Sequence, residues 1–213
     1  MFRKFSIVDR LVAEVDHFVK ILTQPAAHPT RNSPAEGLAE PLLTNKQQAH
    51  VAGLIRVDHT GEICAQALYR GQGFVAKDET TRAHLYQAAD EEYDHLSWCE
   101  GRLNDLMAKK SLLNPLWYLN SFMIGATAGM ISDKISYGFV IETENQVMKH
   151  LESHLMQLPQ QDEKSRVILE QMHKDEAEHA DHAQSAGGVK LPVWAKLLMK
   201  AQSKVMTTVA YRI

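Results

Sequence analysis

Cysteine is nearly missing from the 213-residue chain: Cys64 and Cys99 are the only two. That excludes a disulfide-stapled secreted scaffold and a thiolate zinc site, and it fits a reducing, cytosolic setting. With nothing positive placed to lower their pKa, both cysteines read as small core residues. An excess of one charge is missing too. The 23 basic and 26 acidic side chains leave a net charge of −3, so the bulk electrostatics give no reason to expect a nucleic-acid partner. No apolar run reaches the roughly 20 residues that a bilayer span needs. The most apolar stretch, 111–132, holds Asn114 and Pro115 and is interrupted by Asn120 and Ser121. What is present is a hydrophobic fraction of 45%, ordinary for a chain with a real core and enough to exclude a disordered tail or a fibre. Eleven histidines and nine methionines are the compositional oddities, and the histidines collect where the glutamates are.

Near the start, Arg3 and Lys4 are followed by Asp9, Arg10, Glu14 and Asp16, which break any apolar run and exclude a signal peptide. Phe5, Val8, Val12, Val15, Val19 and Leu22 recur in steps of three and four, so this segment is expected to be an amphipathic helix packed on something larger. From Gln24 onward Pro25, Pro29, Pro34 and Pro41 destroy the periodicity, which reads as a linker or surface loop. Residues 1–43 are therefore an N-terminal helix with a proline-rich linker, and the main domain is 44–213. Thr44 suits a helix N-cap. Helical spacing then runs to about Gly73, from Glu79 to Lys110, from Ser136 to Leu158 and from Asp162 to Ala186. The polar breaks at Lys77-Asp78 and Pro159-Gln160-Gln161 are short enough to fold each pair into an antiparallel hairpin. Between the pairs, 111–132 reads as a crossover helix that covers the bundle or lies at a membrane surface. Residues 189–213 carry Lys190, Lys196, Lys200, Lys204 and Arg212 with no acidic side chain, interleaved with Leu191, Trp194, Leu197, Leu198, Val205 and Met206. Such a basic amphipathic helix suits the headgroup region of an anionic membrane, or else it docks on the bundle. The fold class is all-α: a four-helix bundle with a crossover helix and extra terminal helices.

The chemistry lies on four inward stripes. Leu85, Ala88, Glu92, His95, Cys99 and Leu103 share one face, and Leu169, Met172, Glu176, His179 and Ala183 another. Each has Glu-x-x-His at its centre. The hairpin partners add Glu62 among Leu54, Asp58, Ala65 and Tyr69, and Glu144 among Tyr137, Val140, Val147 and Leu151. Glu62 precedes Glu92 by 30 residues and Glu144 precedes Glu176 by 32, so the order Glu, loop, Glu-x-x-His is an internal repeat. A carboxylate in an apolar core costs several kcal/mol unless it is protonated, paired or metal-bound. Two divalent cations cancel four glutamates, and neutral imidazoles complete the shells. Hard oxygen with two nitrogens and no sulfur points to iron or manganese over zinc or copper(I). A third Glu-x-x-His, Glu170 to His173, lies about 240° around the same helix from the chosen one and 26 residues from Glu144, so it reads as solvated. The paired pattern is the one known for carboxylate-bridged two-metal bundles.

These residues also carry a resemblance. Arg56-Val57-Asp58-His59-Thr60-Gly61-Glu62, the turn Glu92-Tyr93-Asp94-His95, Glu144 with His150 six residues on, and Asp175-Glu176-Ala177-Glu178-His179 resemble the demethoxyubiquinone hydroxylases of ubiquinone biosynthesis over roughly 48–213. The resemblance implies a ferritin-like bundle with two iron ions per chain. Glu62, Glu92 and His95 would serve one, Glu144, Glu176 and His179 the other, and Glu92 and Glu176 would bridge. It also implies a di-iron monooxygenase that uses dioxygen to hydroxylate the ring of a polyprenyl quinol, 2-polyprenyl-3-methyl-6-methoxy-1,4-benzoquinol. Electrons would come from NADH or a reductase; the chain has no glycine-rich dinucleotide fingerprint. The expected location is peripheral, at the cytoplasmic face of the cell membrane. Residues 1–43 lie outside the resemblance.

Further readings stay open at this level. Asp175 is either the hydrogen-bond partner of a ligand imidazole or a solvated helix aspartate. His150 is either a proton relay or an interfacial histidine. Met123, Met130, Met148 and Met172 either line a channel or fill core gaps. No catalytic side chain is expected beyond the metal centre. The rival function is iron storage or buffering with the same six ligands, against which the apolar 112–130 stretch argues because a soluble cage has polar outer faces. A tRNA-modifying di-iron hydroxylase would need a basic face near the ligands, and a metal-free membrane adaptor would leave four core glutamates without a purpose.

Overall fold

Thr44 opens the bundle as its chemistry predicts. Its hydroxyl accepts from the Gln47 N–H at 3.3 Å, while the Gln47 side chain accepts from the Thr44 N–H at 3.0 Å, a capping box that satisfies two donors at the helix start. Asp78, Ser132 and Asp162 cap the later bundle helices with a side-chain oxygen that accepts from the N–H three residues on. This computed structural model describes residues 6–23 and 29–213; Arg3, Lys4, Phe5, Gln24 and Pro25 lie outside them. The described residues form α1 (Ile7–Thr23), α2 (Asn45–Val75), α3 (Glu79–Asp105), α4 (Asn114–Ile131), α5 (Asp133–Gln157), α6 (Glu163–Ser185) and α7 (Val193–Ala210), with no strand among them.

The hairpins α2–α3 and α5–α6 make a ferritin-like four-helix bundle, and α4 crosses from one to the other along α2. The crossing is backbone to backbone. A Cβ added at Gly71 would lie 2.1 Å from the Phe122 carbonyl oxygen, and one at Gly125 would lie 2.0 Å from that of Leu68, so glycine is required at both. Helix α3 stops at Asp105, short of the expected Lys110. Met107 adopts a left-handed φ of 53°, and the N–H groups of Met107 and Ala108 return to the carbonyls of Asn104 and Leu103. This is the Schellman closure that glycine usually provides; with methionine there, the sequence carried no stop signal.

Two apolar clusters fill the bundle. One holds Val51, Ile55, Leu103, Leu151, Leu169 and Met172, the other Leu68, Tyr69, Leu85, Tyr137 and Val140. Glu62, Glu92, Glu144 and Glu176 fall between them along their helices. Arg102, with 1% of its surface exposed, ties the halves together. It donates to Ser165 Oγ at 2.9 Å and to Asp162 at 3.0 Å, at the N-cap of α6, and to Glu40 at 2.6 Å.

The N-terminal helix docks the other way round from the expectation. Val8, Val12, Val15 and Val19 face outward, 49–64% exposed, while Glu14 and Ile21 are buried. The reason is electrostatic. Glu14 accepts two hydrogen bonds from Arg70, at 2.8 and 3.1 Å, and one from Tyr86 at 2.8 Å, and Phe18 packs edge-on against Tyr118 of α4. The valines are thereby turned out, while Leu22 of the same stripe packs inward with Phe18 and Ile21. At the other end, α7 buries Ala195 and Ala210 but exposes Trp194, Leu197, Leu198 and Val205. Its close is tied to α2 through Tyr211, whose hydroxyl lies 2.6 Å from His50 Nδ1 and whose carbonyl accepts from Arg56. No described helix is long and apolar enough to cross a membrane.

Candidate metal centre

The helical period carries six side chains to one place. Glu62 comes from α2, Glu92 and His95 from α3, Glu144 from α5, and Glu176 and His179 from α6. The four glutamates and His95 are at most 2% exposed; the His179 side chain is 12% exposed. Their donor atoms fall into two overlapping sets, each within 4.8 Å: Glu62, Glu92, His95 and Glu176, and Glu92, Glu144, Glu176 and His179. Glu92 and Glu176 belong to both. His95 Nδ1 lies 3.1 Å from Glu92, 3.2 Å from Glu176 and 3.6 Å from Glu62, while His179 Nδ1 lies 3.2 Å from Glu92 and 3.3 Å from Glu176.

The electrostatics of these groups suit cations among them. Glu62 Oε2, both oxygens of Glu92 and of Glu144, and His95 Nδ1 are buried without a well-directed hydrogen bond. Burial, reinforced by neighbouring carboxylates, raises Glu62 and Glu144 well above the ordinary glutamate range. At Glu92 burial acts in the same sense but is outweighed by His179 and His95, which hold it low. At His95 and His179 burial disfavours charge, yet the surrounding carboxylates overcome it and raise both well above the usual imidazole value. In the metal-free chain protons take the place of positive charge. The residues thus fit a pair of divalent ions in number, charge and donor type.

The outer nitrogens are held differently. His95 Nε2 lies 3.0 Å from Asp175 Oδ2, so the donating nitrogen faces the aspartate and Nδ1 faces the cluster, the arrangement that orients a ligand histidine. Of the two readings of Asp175, contact with an imidazole is the one the geometry displays. His150 lies 3.0 Å from Ser203 Oγ of α7, with its ring 6.3 Å from that of His154. Glu170 is exposed and His173 meets Glu152 at the surface, clear of the centre.

An apolar channel between α2, α4, α5 and α7 reaches Glu62. Leu68, Trp117, Phe139, Val147, Met199 and Met206 wall it. The methionines singled out from sequence sit elsewhere: Met123 and Met130 are exposed, Met148 is half-buried, and Met172 packs in the core, its sulfur 3.8 Å from Cys99. Cys64 faces the channel, its thiol pushed up to about 11 by burial, so it is neutral. Sequence reasoning missed the buried pair Asp58–His154, 2.8 Å apart, although Asp58 stood on an inward stripe. It also missed Arg31, which reaches both Asp94 and Asp175. Neither had a local signal, because the partners are 96 and 144 residues away.

Two other residues of the Arg56–Glu62 motif serve as joints. Arg56 donates to the Lys109 carbonyl at 2.7 Å and Thr60 to Asn114 Oδ1 at 3.0 Å, fixing α2 to the start of α4.

The family described as ubiquinone biosynthesis protein COQ7 matches residues 49–210. The 3-demethoxyubiquinol 3-hydroxylase of Francisella philomiragia subsp. philomiragia is 60% identical over 210 residues, 99% of each chain. That of Francisella tularensis subsp. novicida is 57% identical over the same share of both. These alignments run through the N-terminal helix and the proline-rich segment, which the motif resemblance left out.

Proposed function

The chain belongs to the COQ7 family of ubiquinone biosynthesis proteins, and we propose that it hydroxylates the ring of a demethoxyubiquinol at a centre of two iron ions, taking dioxygen as co-substrate. The observation that carries this reading is the meeting of two overlapping carboxylate–histidine sets with an apolar channel at Glu62. Glu62, Glu92 and His95 would hold one ion and Glu144, Glu176 and His179 the other, Glu92 and Glu176 being within reach of both. When bound, the metals supply the reductive activation of dioxygen. The protein supplies the rest. Trp117, Phe139 and Met206 give the ring a dry, apolar wall, Glu62 sets the depth it reaches, and buried surroundings keep bulk water from the site.

The polyprenyl tail of such a substrate stays in lipid, and the outer surface suits that. Leu112, Leu116, Leu119 and Met123 of the crossover region, Trp194, Leu197 and Leu198 of α7, and the outward valines of α1 are exposed. Lys200 and Lys204 are exposed on α7 as well. We read this as a peripheral membrane face at the cytoplasmic side, with the channel mouth between α4 and α7. NADH or a reductase would deliver the electrons. Residues 1–43 read as an N-terminal extension bonded to the 44–213 domain.

The test is metal content after anaerobic purification, followed by dioxygen and a demethoxyquinol. The expected result is two irons per chain with a hydroxylated quinol as product, and loss of both metal and product in Glu92→Ala and Glu176→Ala. Two irons without product would favour iron storage; no metal would sink the reading.

A further inference from the structure

The two Glu-x-x-His turns are alike in sequence and unlike in what stands behind them. Behind His95 lies a built assembly. Asp175 faces His95 Nε2 at 3.0 Å and accepts from Gln171 at 2.8 Å and from Arg31 Nη2 at 2.7 Å. Arg31 Nε donates to Asp94 at 2.9 Å, so one guanidinium joins a carboxylate of α3 to one of α6. The Thr30 N–H and hydroxyl also donate to Asp94, at 2.6 and 2.8 Å. The guanidinium stacks 4.9 Å above the Trp98 ring, the Trp98 N–H donates to the Arg31 carbonyl at 3.3 Å, and that indole lies 5.3 Å from the His95 ring. Thr30 and Arg31 thus form a strap across the back of one ligand.

Behind His179, among the described residues, stands Glu91, at 3.3 Å from Nε2 and itself 44% exposed. A cavity lined by His84, Glu91, Tyr137, His179 and His182 opens at this end. His95 is fully buried and His179 is not.

We propose that Arg31 is a positioning residue that makes the two metal sites unequal: by holding Asp175 against His95 it renders the ion on Glu62, Glu92 and His95 the retained one, while the ion on Glu144, Glu176 and His179 exchanges through the open end. This rests on the metal-centre reading above and deepens it. Removing the outer partner of a ligand histidine commonly costs about 10- to 100-fold in metal affinity. Arg31 is itself 45% exposed, but the carboxylates it joins are 5% and 10% exposed, whereas the carboxylate behind His179 stands in water, where an ion pair contributes little. Arginine suits the bridge, because its rigid planar fork presents separate N–H groups to the two carboxylates.

The experiment loads full-length protein anaerobically with ferrous iron and follows release to an excess of a coloured iron(II) chelator. The expected wild-type trace has two phases of one ion each; Glu62→Ala removes the slow phase and Glu144→Ala the fast one. Arg31→Ala speeds the slow phase about 10-fold or more and leaves the fast phase alone; Arg31→Lys restores part of the difference. Thermal unfolding of the metal-free variants supplies the structural control. A single wild-type phase would overturn the proposal. So would a slow phase indifferent to Arg31, or both phases quickened together with a lowered metal-free Tm, which is what mere loosening produces. A wild-type chain that takes up no iron would overturn the metal-centre reading itself, and this inference with it.

Discussion

The α2–α3 hairpin and the α5–α6 hairpin repeat one ligand order at almost one spacing, yet their surroundings differ in kind. The first is covered: α4 lies on α2 in glycine contact, α1 is pinned to it by Glu14 and Arg70, and the Thr30–Arg31 strap closes over His95. The second is open at His179, with an exposed glutamate and a cavity beside it. Ligand identity is set by helical period, a rule that acts within four residues. Ligand environment is set by contacts from far along the chain. Similar motifs can therefore hold their ions with different firmness, and the asymmetry belongs to the tertiary structure.

The largest effect should come from abolishing the join between the halves. Arg102 is buried and pairs with Asp162, which is itself 0% exposed and caps α6. Arg102→Met keeps volume but leaves that carboxylate without its cation, which typically costs about 3–5 kcal/mol. The urea midpoint of the metal-free protein should fall accordingly, and metal should be lost from both sites alike, in contrast to the one-sided effect of Arg31. An unchanged midpoint would mean that the helix pairs hold their register without this pin.

A second test uses pH. Glu62 and Glu144 titrate above the ordinary 4.5 of a glutamate, and His95 and His179 above the ordinary 6.5 of a histidine. All four bind protons more tightly folded than unfolded. Folded chains then carry more protons, and stability falls as pH rises, from 4.5 upward for the glutamates and from 6.5 upward for the histidines. Each extra proton held is worth about 1.4 kcal/mol per pH unit. Glu92 and Asp175, held low, lose their contribution only on the acid side of that window. Metal ions replace the protons, so the metal-loaded protein should lack the decline. Urea midpoints at about pH 6 and about pH 8.5 compare the two forms; a metal-free protein as stable at the higher pH would contradict the protonation pattern of the cluster.

Much of the fold and the cluster was legible because both follow the helical period. Glutamates on otherwise aliphatic stripes announced the centre, and Thr44, as an N-cap, announced the start of the bundle. Three features were not legible, each for a physical reason. The stripe on α1 told which face is apolar, not which is covered, and the buried Glu14–Arg70 pair turned its valines outward. Arg31 sits in a proline-rich run without periodicity, so its tie to Asp175 appears only once the chain is folded. The end of α3 depends on a methionine taking a conformation that sequence assigns to glycine.

The smallest expected effect sharpens the comparison most directly. Glu91 is to His179 what Asp175 is to His95, one residue beyond an outer nitrogen, but it is exposed, and its other hydrogen bond comes from the exposed Gln87. Water competes for the Glu91 carboxylate, so its pair with His179 should contribute within about 0.2–1 kcal/mol. Glu91→Gln should therefore change the fast iron-release rate by only a few-fold, whereas Asp175→Asn should change the slow one by about 10-fold or more. The ratio of the two effects measures the asymmetry itself. Equal effects would mean that burial and the arginine bridge add nothing to a carboxylate behind a histidine, and that the covered and open halves hold their ions alike.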